Sequence, residues 1–385
     1  MIDGRQLKSL SVLGYNFWIH VFKSLVPKKK PDQVELFKGY FQKDWITALK
    51  KEEIEQIYNS QQCTVCGLCQ DACAPSRLSQ GRFLGPEHLA ACASRSQPEY
   101  ISDADDFYRC TLCGKCEGAC PEEVKISDLA WLMRRWVYRV DPAATWSFFP
   151  EVKKNLDRFG NPFGKEKAAA ETGSGGRVLF PGCREMALGE PEKWAALVKK
   201  LGFGARLVSG VCCGGMLDEI GAEGLNPGLE KLLAQNPEEV ITTCPHCLHS
   251  LRKKLPGSIA VKFIMELIPE NMAARKISGP VVYHDPCFLS RKNQMAQLPR
   301  SIIRRQGMKL LEFSANNGLA DCCGGGGGLF WYDPGQADRL AARRVEEAQK
   351  LGAKMILTEC GTCRDLLEKA GGGKIEVKRI SELFI

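Results

Sequence analysis

The sequence predicts an α+β multidomain chain, with a helical, cysteine-bearing first part followed by two tandem α/β repeats. Three observations carry this. Two dense cysteine runs occupy residues 63–73 and 110–120. From residue 177 short β-branched runs alternate with helical stretches, the pattern of α/β units with a largely parallel sheet. The cysteines of that last part recur twice in the same order.

Composition sets the frame. At roughly 100–200 residues per domain, 385 residues make two or three domains with real cores. Hydrophobic content of 44% and charged content of 25% exclude collagen-like, coiled-coil and disordered chains. Nineteen cysteines are too dilute for a disulfide scaffold, and an odd count argues against complete pairing. The apolar stretch near the start is broken by Lys8, His20 and Lys23, so no secretory signal is read there. A reducing, cytoplasmic compartment is expected, where clustered cysteines mean metal or redox chemistry. The net charge of +8 comes without a long basic run, Lys28 to Lys30 being the longest, and no nucleic-acid partner is expected.

Taken in order, residues 1–50 read as an N-terminal amphipathic docking segment. Leu10, Leu13, Phe17, Val21 and Leu25 fall three or four apart, one stripe of a helix. Such a helix either lies on a membrane surface or a membrane subunit, or packs on its own protein or a soluble partner. Residues 42–60 read as a polar helix within and beyond that segment. Residues 51–140 form a helical domain holding both cysteine runs and closing on a helix over 127–140, with Ser127 as its cap. Residues 141–176 read as a linker ending in Glu-Thr-Gly-Ser-Gly-Gly.

Residues 177–275 and 276–385 are the two α/β repeats. Strands are predicted over 177–180, 205–211 and 239–243, then over 281–284, 308–313 and 354–358. Helices are predicted over 191–202 and 227–235, and again over 336–351 and 363–370. In each repeat one strand delivers a single cysteine (Cys183; Cys287) and the next a Cys-Cys-Gly (Cys212-Cys213; Cys322-Cys323). A third delivers Cys-x-x-Cys (Cys244, Cys247; Cys360, Cys363), and the offsets between copies are 104, 110 and 116 residues. Five thiols placed after three strand ends converge at one edge of each sheet, where α/β folds place their sites.

The earlier runs, Cys63-x2-Cys66-x2-Cys69-x3-Cys73 and Cys110-x2-Cys113-x2-Cys116-x3-Cys120-Pro121, match the two-cluster ferredoxin spacing. Three thiolates two residues apart wrap three corners of a cubane, and the fourth points toward the other cluster. Cys63, Cys66, Cys69 and Cys120 are therefore expected to share one cubane, and Cys110, Cys113, Cys116 and Cys73 the other. Structural zinc, which prefers two knuckles split by a longer loop, fits this density poorly. The first run departs from the pattern, because Ala74 stands between Cys73 and Pro75.

Two such runs followed by two Cys-Cys-Gly (CCG) repeats resemble the heterodisulfide reductase B/D-like family of iron–sulfur oxidoreductases. That family includes the iron–sulfur subunits of glycolate and lactate oxidases and the CCG subunits of sulfate-reducer respiratory membrane complexes. The resemblance covers about 60–385, and Asn161-Pro162-Phe163-Gly164 is similar to the family's linker motif. It implies two cubane [4Fe–4S] clusters and one or two noncubane [4Fe–4S] clusters, each of the latter held by five cysteines. Those sets would be Cys183, Cys212, Cys213, Cys244 and Cys247, and Cys287, Cys322, Cys323, Cys360 and Cys363. The first repeat has the shorter intervals, so a simpler or missing cluster is expected there.

Gly324, Gly325 and Gly326 are expected to bring backbone and N–H groups to the cluster. No Gly-Lys-Ser/Thr follows, so this is not a phosphate loop. His284, before Asp285 and Cys287, is the candidate proton donor, with His246 a second; the rival reading is a histidine bonded to backbone at a strand end. Cys92 fits no motif and reads as a buried inert thiol. The resemblance implies an iron–sulfur subunit of a membrane-associated, quinone-linked respiratory complex, with heterodisulfide or thiol chemistry at the CCG clusters. The alternative is a pure electron relay for a flavin-dependent glycolate or lactate dehydrogenase. No dinucleotide fingerprint is present, so a cytochrome b-like or quinone-reactive membrane subunit, or a flavoprotein, must be the partner. A peripheral position on the cytoplasmic face follows from that reading.

Overall fold

The computed structural model describes residues 4–25, 32–41, 47–95, 97, 99–164, 176–189, 191–208, 212–224 and 228–385. Lysines 28–30, residues 42–46, the end of the strand expected over 205–211 and the glycine-rich close of the linker lie outside them. The chain divides into two compact units, Met1–Ala48 and Leu49–Ile385.

The first unit carries helices Gly4–Leu25 and Gln33–Phe41. On the longer helix Leu10, Leu13, Phe17 and Leu25 are exposed, and Val21 is half-buried. Among the described residues no helix is long and apolar enough to cross a membrane.

In the second unit, helix Ile126–Val140 is the spine of the helical part. Its Leu129, Leu132, Met133, Trp136 and Val137 are solvent-free, at the three-and-four spacing that gathers one face. They pack on Leu89, Tyr100 and Phe107, with the Tyr100 ring edge-on to Trp136 at 5.4 Å. The helix begins one residue earlier than expected, with Lys125 at the cap. Ser127 does not cap it, because its backbone N–H and hydroxyl both bond to Glu117. The polar helix expected over 42–60 spans only Lys51–Ser60 among the described residues, and the stretch read as a linker carries helices Pro142–Phe148 and Pro150–Phe159.

Each α/β repeat builds a four-stranded, wholly parallel sheet. The first holds β1 Arg177–Phe180, β2 Arg206–Leu207, β3 Glu239–Thr242 and β4 Ala260–Phe263, in the order β2-β1-β3-β4. The second holds β5 Val281–Tyr283, β6 Leu310–Leu311, β7 Met355–Thr358 and β8 Glu376–Arg379, in the order β6-β5-β7-β8. The central strands align Val178 with Val240 and Val282 with Ile356. These four side chains are solvent-free, each contributing about 1.5–3 kcal/mol by burial. The sequence pattern points to three strands per sheet; β4 and β8 are edge strands with every other residue outward, so each shows only two buried positions.

One side chain joins the helical part to both repeats. The buried guanidinium of Arg134 donates to the carbonyls of Phe107, Cys110, Glu219 and Gly327. A charge taken fully out of water stays there only when its donors are met, and here they are met by three separate parts of the chain.

Candidate functional site

Parallel strands end on the same edge, so Cys183, Cys244, Cys287 and Cys360 follow directly after β1, β3, β5 and β7. The two edges face each other. Cys183, Cys212, Cys213, Cys244 and Cys247 from the first repeat line one cleft of about 690 Å³ together with Cys287, Cys323, Cys360 and Cys363 from the second. Gly325, Gly326 and Phe163 also line it. The Asn161 carboxamide shapes the Phe163 turn by accepting from the N–H groups of Phe163 and Gly164. The Phe163 ring lies 5.1 Å from Trp331, with the Arg184 guanidinium over it.

The tenth cysteine, Cys322, sits elsewhere. It lines a cavity of about 400 Å³ with Cys73, Cys110, Cys113 and Cys116, and its thiol is hydrogen-bonded to Cys113 and Cys323. It thus stands between the second ferredoxin run and the second repeat's thiols. The remaining four, Cys63, Cys66, Cys69 and Cys120, line a cavity of about 330 Å³. Cys66 is exposed there, whereas Cys113 and Cys116 are buried, so one cavity is near solvent and the other is internal.

These thiol sets fit iron–sulfur clusters. Backbone N–H groups point at sulfur throughout: Ser76 to Cys73, Leu112 to Cys110 and Val124 to Cys120, each at 3.4 Å. In the repeats Gly214 and Gly215 donate to Cys212 and Cys213, and Gly324 to Cys322. Such donors serve anionic sulfur. Burial pushes the Cys69 thiol up to about 11 and Cys110 up to about 11, and lifts Cys116 further. Thiolates in such surroundings call for a cationic partner. In both repeats the second cysteine of the pair is the exception. Cys213 is held well below the usual thiol range by hydrogen bonds from Cys212 and Cys247, and Cys323 by those from Cys322 and Cys363.

The histidines divide differently from expectation. His284 is buried beside Cys323 and Cys363 but does not line the shared cleft. Burial lowers it to about 3, Arg344 adding to the effect. Its Nδ1 has no hydrogen-bond partner among the described residues, so it is not a backbone-bonded strand-end histidine. Asp285 is committed to a bidentate pair with Arg300 at 2.7 and 2.8 Å. His246 does line the cleft.

So does Glu219, which sequence reasoning passed over because it lies in no motif. Its Oε2 accepts from the Gly327 N–H at 3.1 Å, while its Oε1 has no partner among the described residues. Burial pushes the carboxyl up. His246 and Glu219 also line a second, more open cavity of about 590 Å³ with Trp131, Phe288, His249 and Lys292. They therefore stand between that opening and the thiols. Burial, with Lys253 and His246 nearby, lowers His249 to about 4.

Cys92 is buried as expected but is not isolated. Its Sγ lies 3.2 Å from His88 Nε2 and 3.2 Å from Asp103 Oδ2. Burial, then Asp103, pushes this thiol up to about 12.

Comparison with known proteins agrees with this geometry. The cysteine-rich (CCG) domain model matches residues 178–252 and 281–368, and a 4Fe-4S dicluster domain model matches 59–124. The chain belongs to the CCG family of iron–sulfur proteins. The fumarate reductase (CoM/CoB) iron–sulfur relative from Methanothermobacter marburgensis is 29% identical over 61% of this CCG protein and 50% of its own length. EtfAB:quinone oxidoreductase of Syntrophomonas wolfei is 28% identical over 49% of the chain and 30% of its own. The dihydromethanophenazine:CoB–CoM heterodisulfide reductase relative from Methanosarcina barkeri is 26% identical over 40% and 42%. The chain thus matches half or less of the length of these relatives.

Proposed function

We propose that this chain is the iron–sulfur subunit of an oxidoreductase complex, moving electrons between ferredoxin-type cubanes and a pair of CCG centres at which a disulfide is cleaved or thiols are joined. The observation that carries the reading is the shared cleft, where nine thiols from two repeats face one another. Bound clusters would supply one-electron redox chemistry, within the roughly −700 to +450 mV that such groups span. Cys63, Cys66, Cys69 and Cys120 would hold one cubane, and Cys73, Cys110, Cys113 and Cys116 the other. Cys183, Cys212, Cys213, Cys244 and Cys247 would hold one CCG centre, and Cys287, Cys322, Cys323, Cys360 and Cys363 the other.

The protein's own contribution is order and protons. The near-solvent cavity, the internal cavity and the cleft form a sequence, with Cys113 and Cys322 in contact at the last step. Each thiolate released from a disulfide takes up a proton, and Glu219 and His246 stand where one can arrive from the open cavity. A partner subunit supplies the other half-reaction. The exposed apolar helix Gly4–Leu25, with lysines and no acid, is read as the contact to an anionic membrane surface or a membrane subunit on the cytoplasmic face.

Iron and sulfide analysis is the first test. The cubane pair alone gives about eight irons per chain and loaded CCG sites about sixteen. The decisive one is spectroscopic. Oxidised protein titrated with small thiols should develop a paramagnetic signal that grows with bound thiolate. Silence across a broad thiol panel, with full iron content, replaces this reading by a pure relay. Deleting the first thirty residues should abolish vesicle binding; unchanged binding removes the membrane contact from the proposal.

A further inference from the structure

We propose that His88, Cys92 and Asp103, with Asp106 beside them, form a divalent-metal site suited to zinc, separate from the iron–sulfur sites. His88 and Cys92 are four residues apart on helix Pro86–Ala93, hence on one face one turn apart. Asp103 occupies the cap position of helix Ala104–Arg109, yet its side chain caps nothing and turns to Cys92 instead. The donor atoms of His88, Cys92 and Asp103 all lie within 4.8 Å of one another, and two of the separations are 3.2 Å. Tetrahedral zinc with bonds of about 2.0–2.3 Å sets ligand atoms about 3.3–3.8 Å apart. A small outward movement therefore admits the ion.

The chemistry of the donors points the same way. One imidazole, one thiol and one carboxylate make a borderline-soft set, which suits zinc rather than magnesium or calcium. Asp106 Oδ2 is 3.8 Å from His88 Nε2, near enough to complete the shell. Among the described residues, neither Asp103 nor Asp106 is ion-paired to a lysine or arginine. Cys92 is only 1% exposed, but the His88 and Asp106 side chains keep 22% and 15% of their surface, so an ion can enter without unfolding. Binding transfers the Cys92 thiol proton to solvent and forms a sulfur–metal bond, with no change of oxidation state.

The location gives the site a purpose. The same short helix places Pro86 and Leu89 in the wall of the internal ferredoxin cavity and Glu87 in the wall of the near-solvent one. A metal tying His88 and Cys92 to Asp103 fixes that wall from behind.

The test uses iron-replete protein, so that no cluster site is vacant. After one equivalent of zinc and desalting against a competing chelator, about one zinc per chain should remain, with iron and sulfide unchanged. Zinc-edge X-ray absorption should give a single sulfur among nitrogen and oxygen neighbours. Cys92→Ala and, at the partly exposed position, His88→Gln should each weaken retention by at least about tenfold. Zinc should also raise the melting temperature of the wild type and not of either variant. Zinc that the chelator strips completely, equal retention in both variants, or a shell of several sulfurs would overturn the site and leave a hydrogen-bonded cluster only.

Discussion

The two repeats carry matching cysteines, yet the contact between them is made of different material on its two sides. Where the second repeat's β8 meets the first, buried Arg379 bonds to Glu185 at 2.6 Å, to Glu359 at 2.9 Å and to the Thr243 carbonyl. Arg184 pairs with Asp365 beside it. By the 104- and 116-residue offsets, the counterparts of Arg184, Glu185 and Arg379 are Phe288, Leu289 and Phe263. Leu289 and Phe263 belong to one apolar core, and Phe288 stacks on His246 at 4.1 Å. The ionic side is closed. The aromatic side borders the open cavity, so the asymmetry puts access to the thiols on one flank of an otherwise repeated structure.

The glycine runs differ in the same spirit. In the first repeat Cys213-Gly214 leads into a short helix bearing Asp218 and Glu219. In the second, Gly326 lies against the backbone of the ferredoxin run, where an added Cβ would meet the Thr111 carbonyl oxygen at 2.3 Å. One repeat uses this segment for proton-handling side chains, the other for close contact with the electron path.

The largest expected effect is at Arg379. Arg379→Ala strands two buried carboxylates and should cost about 3–5 kcal/mol, read as a fall in melting temperature of the iron-replete protein. The triple change Arg379→Phe, Glu185→Leu, Glu359→Thr, which installs the residues of the other flank, should recover most of it. No recovery would mean the two flanks are not interchangeable. Next comes Gly326→Val, which collides with backbone that cannot yield and should cost about 3 kcal/mol, together with slower electron flow into the CCG centres in stopped-flow reduction. Its counterpart test, Gly215→Ala, meets the His246 ring at 2.7 Å instead. A side chain can move, so about 1 kcal/mol or less is expected.

These residues mark what a linear reading reaches. The cysteine runs were legible because cluster binding fixes local spacing, and the repeat because the same spacing occurs twice. Arg134, Arg379, Glu185 and Glu219 were not, since each acquires its role from partners 24 or more residues away, and nothing nearby in sequence announces them. Cys322 was grouped with its neighbours in the motif; the fold also turns it toward Cys113, a choice that tertiary contact alone makes. Phe163 was legible as part of a motif but not as a wall of the cleft.

A smaller effect separates the titratable groups of the two repeats. His246 has Thr362 as its counterpart, offset by 116 residues, and Thr362 cannot move a proton in the working range. His246→Gln and Glu219→Gln should each lower viologen-linked disulfide reduction by about 10²-fold and change its pH profile, while leaving melting temperature within about 1 kcal/mol of the parent. Thr362→Val should leave the profile unchanged. An unaltered profile in both acidic-flank variants would remove proton delivery from that side.

The smallest difference lies at the start of the central strands. Glu239 on β3 bonds to Arg177 at 2.5 Å and Lys262 at 2.7 Å, whereas the matching position on β7 is the apolar Met355. Although burial works against it, bonds to Lys262 and Arg177 hold the Glu239 carboxyl below its ordinary 4.5. A depressed carboxyl contributes stability above its unfolded value, and that contribution is lost as pH falls through the folded one. Both cations are more than a third exposed, so solvent limits the gain to below about 1 kcal/mol. Amide exchange measured at about pH 6 and about pH 4, corrected for its intrinsic rate, should therefore loosen β3 relative to β7 at the lower value. Glu239→Gln should erase that difference. Equal loosening of both strands would assign the acid response to the clusters rather than to this triad.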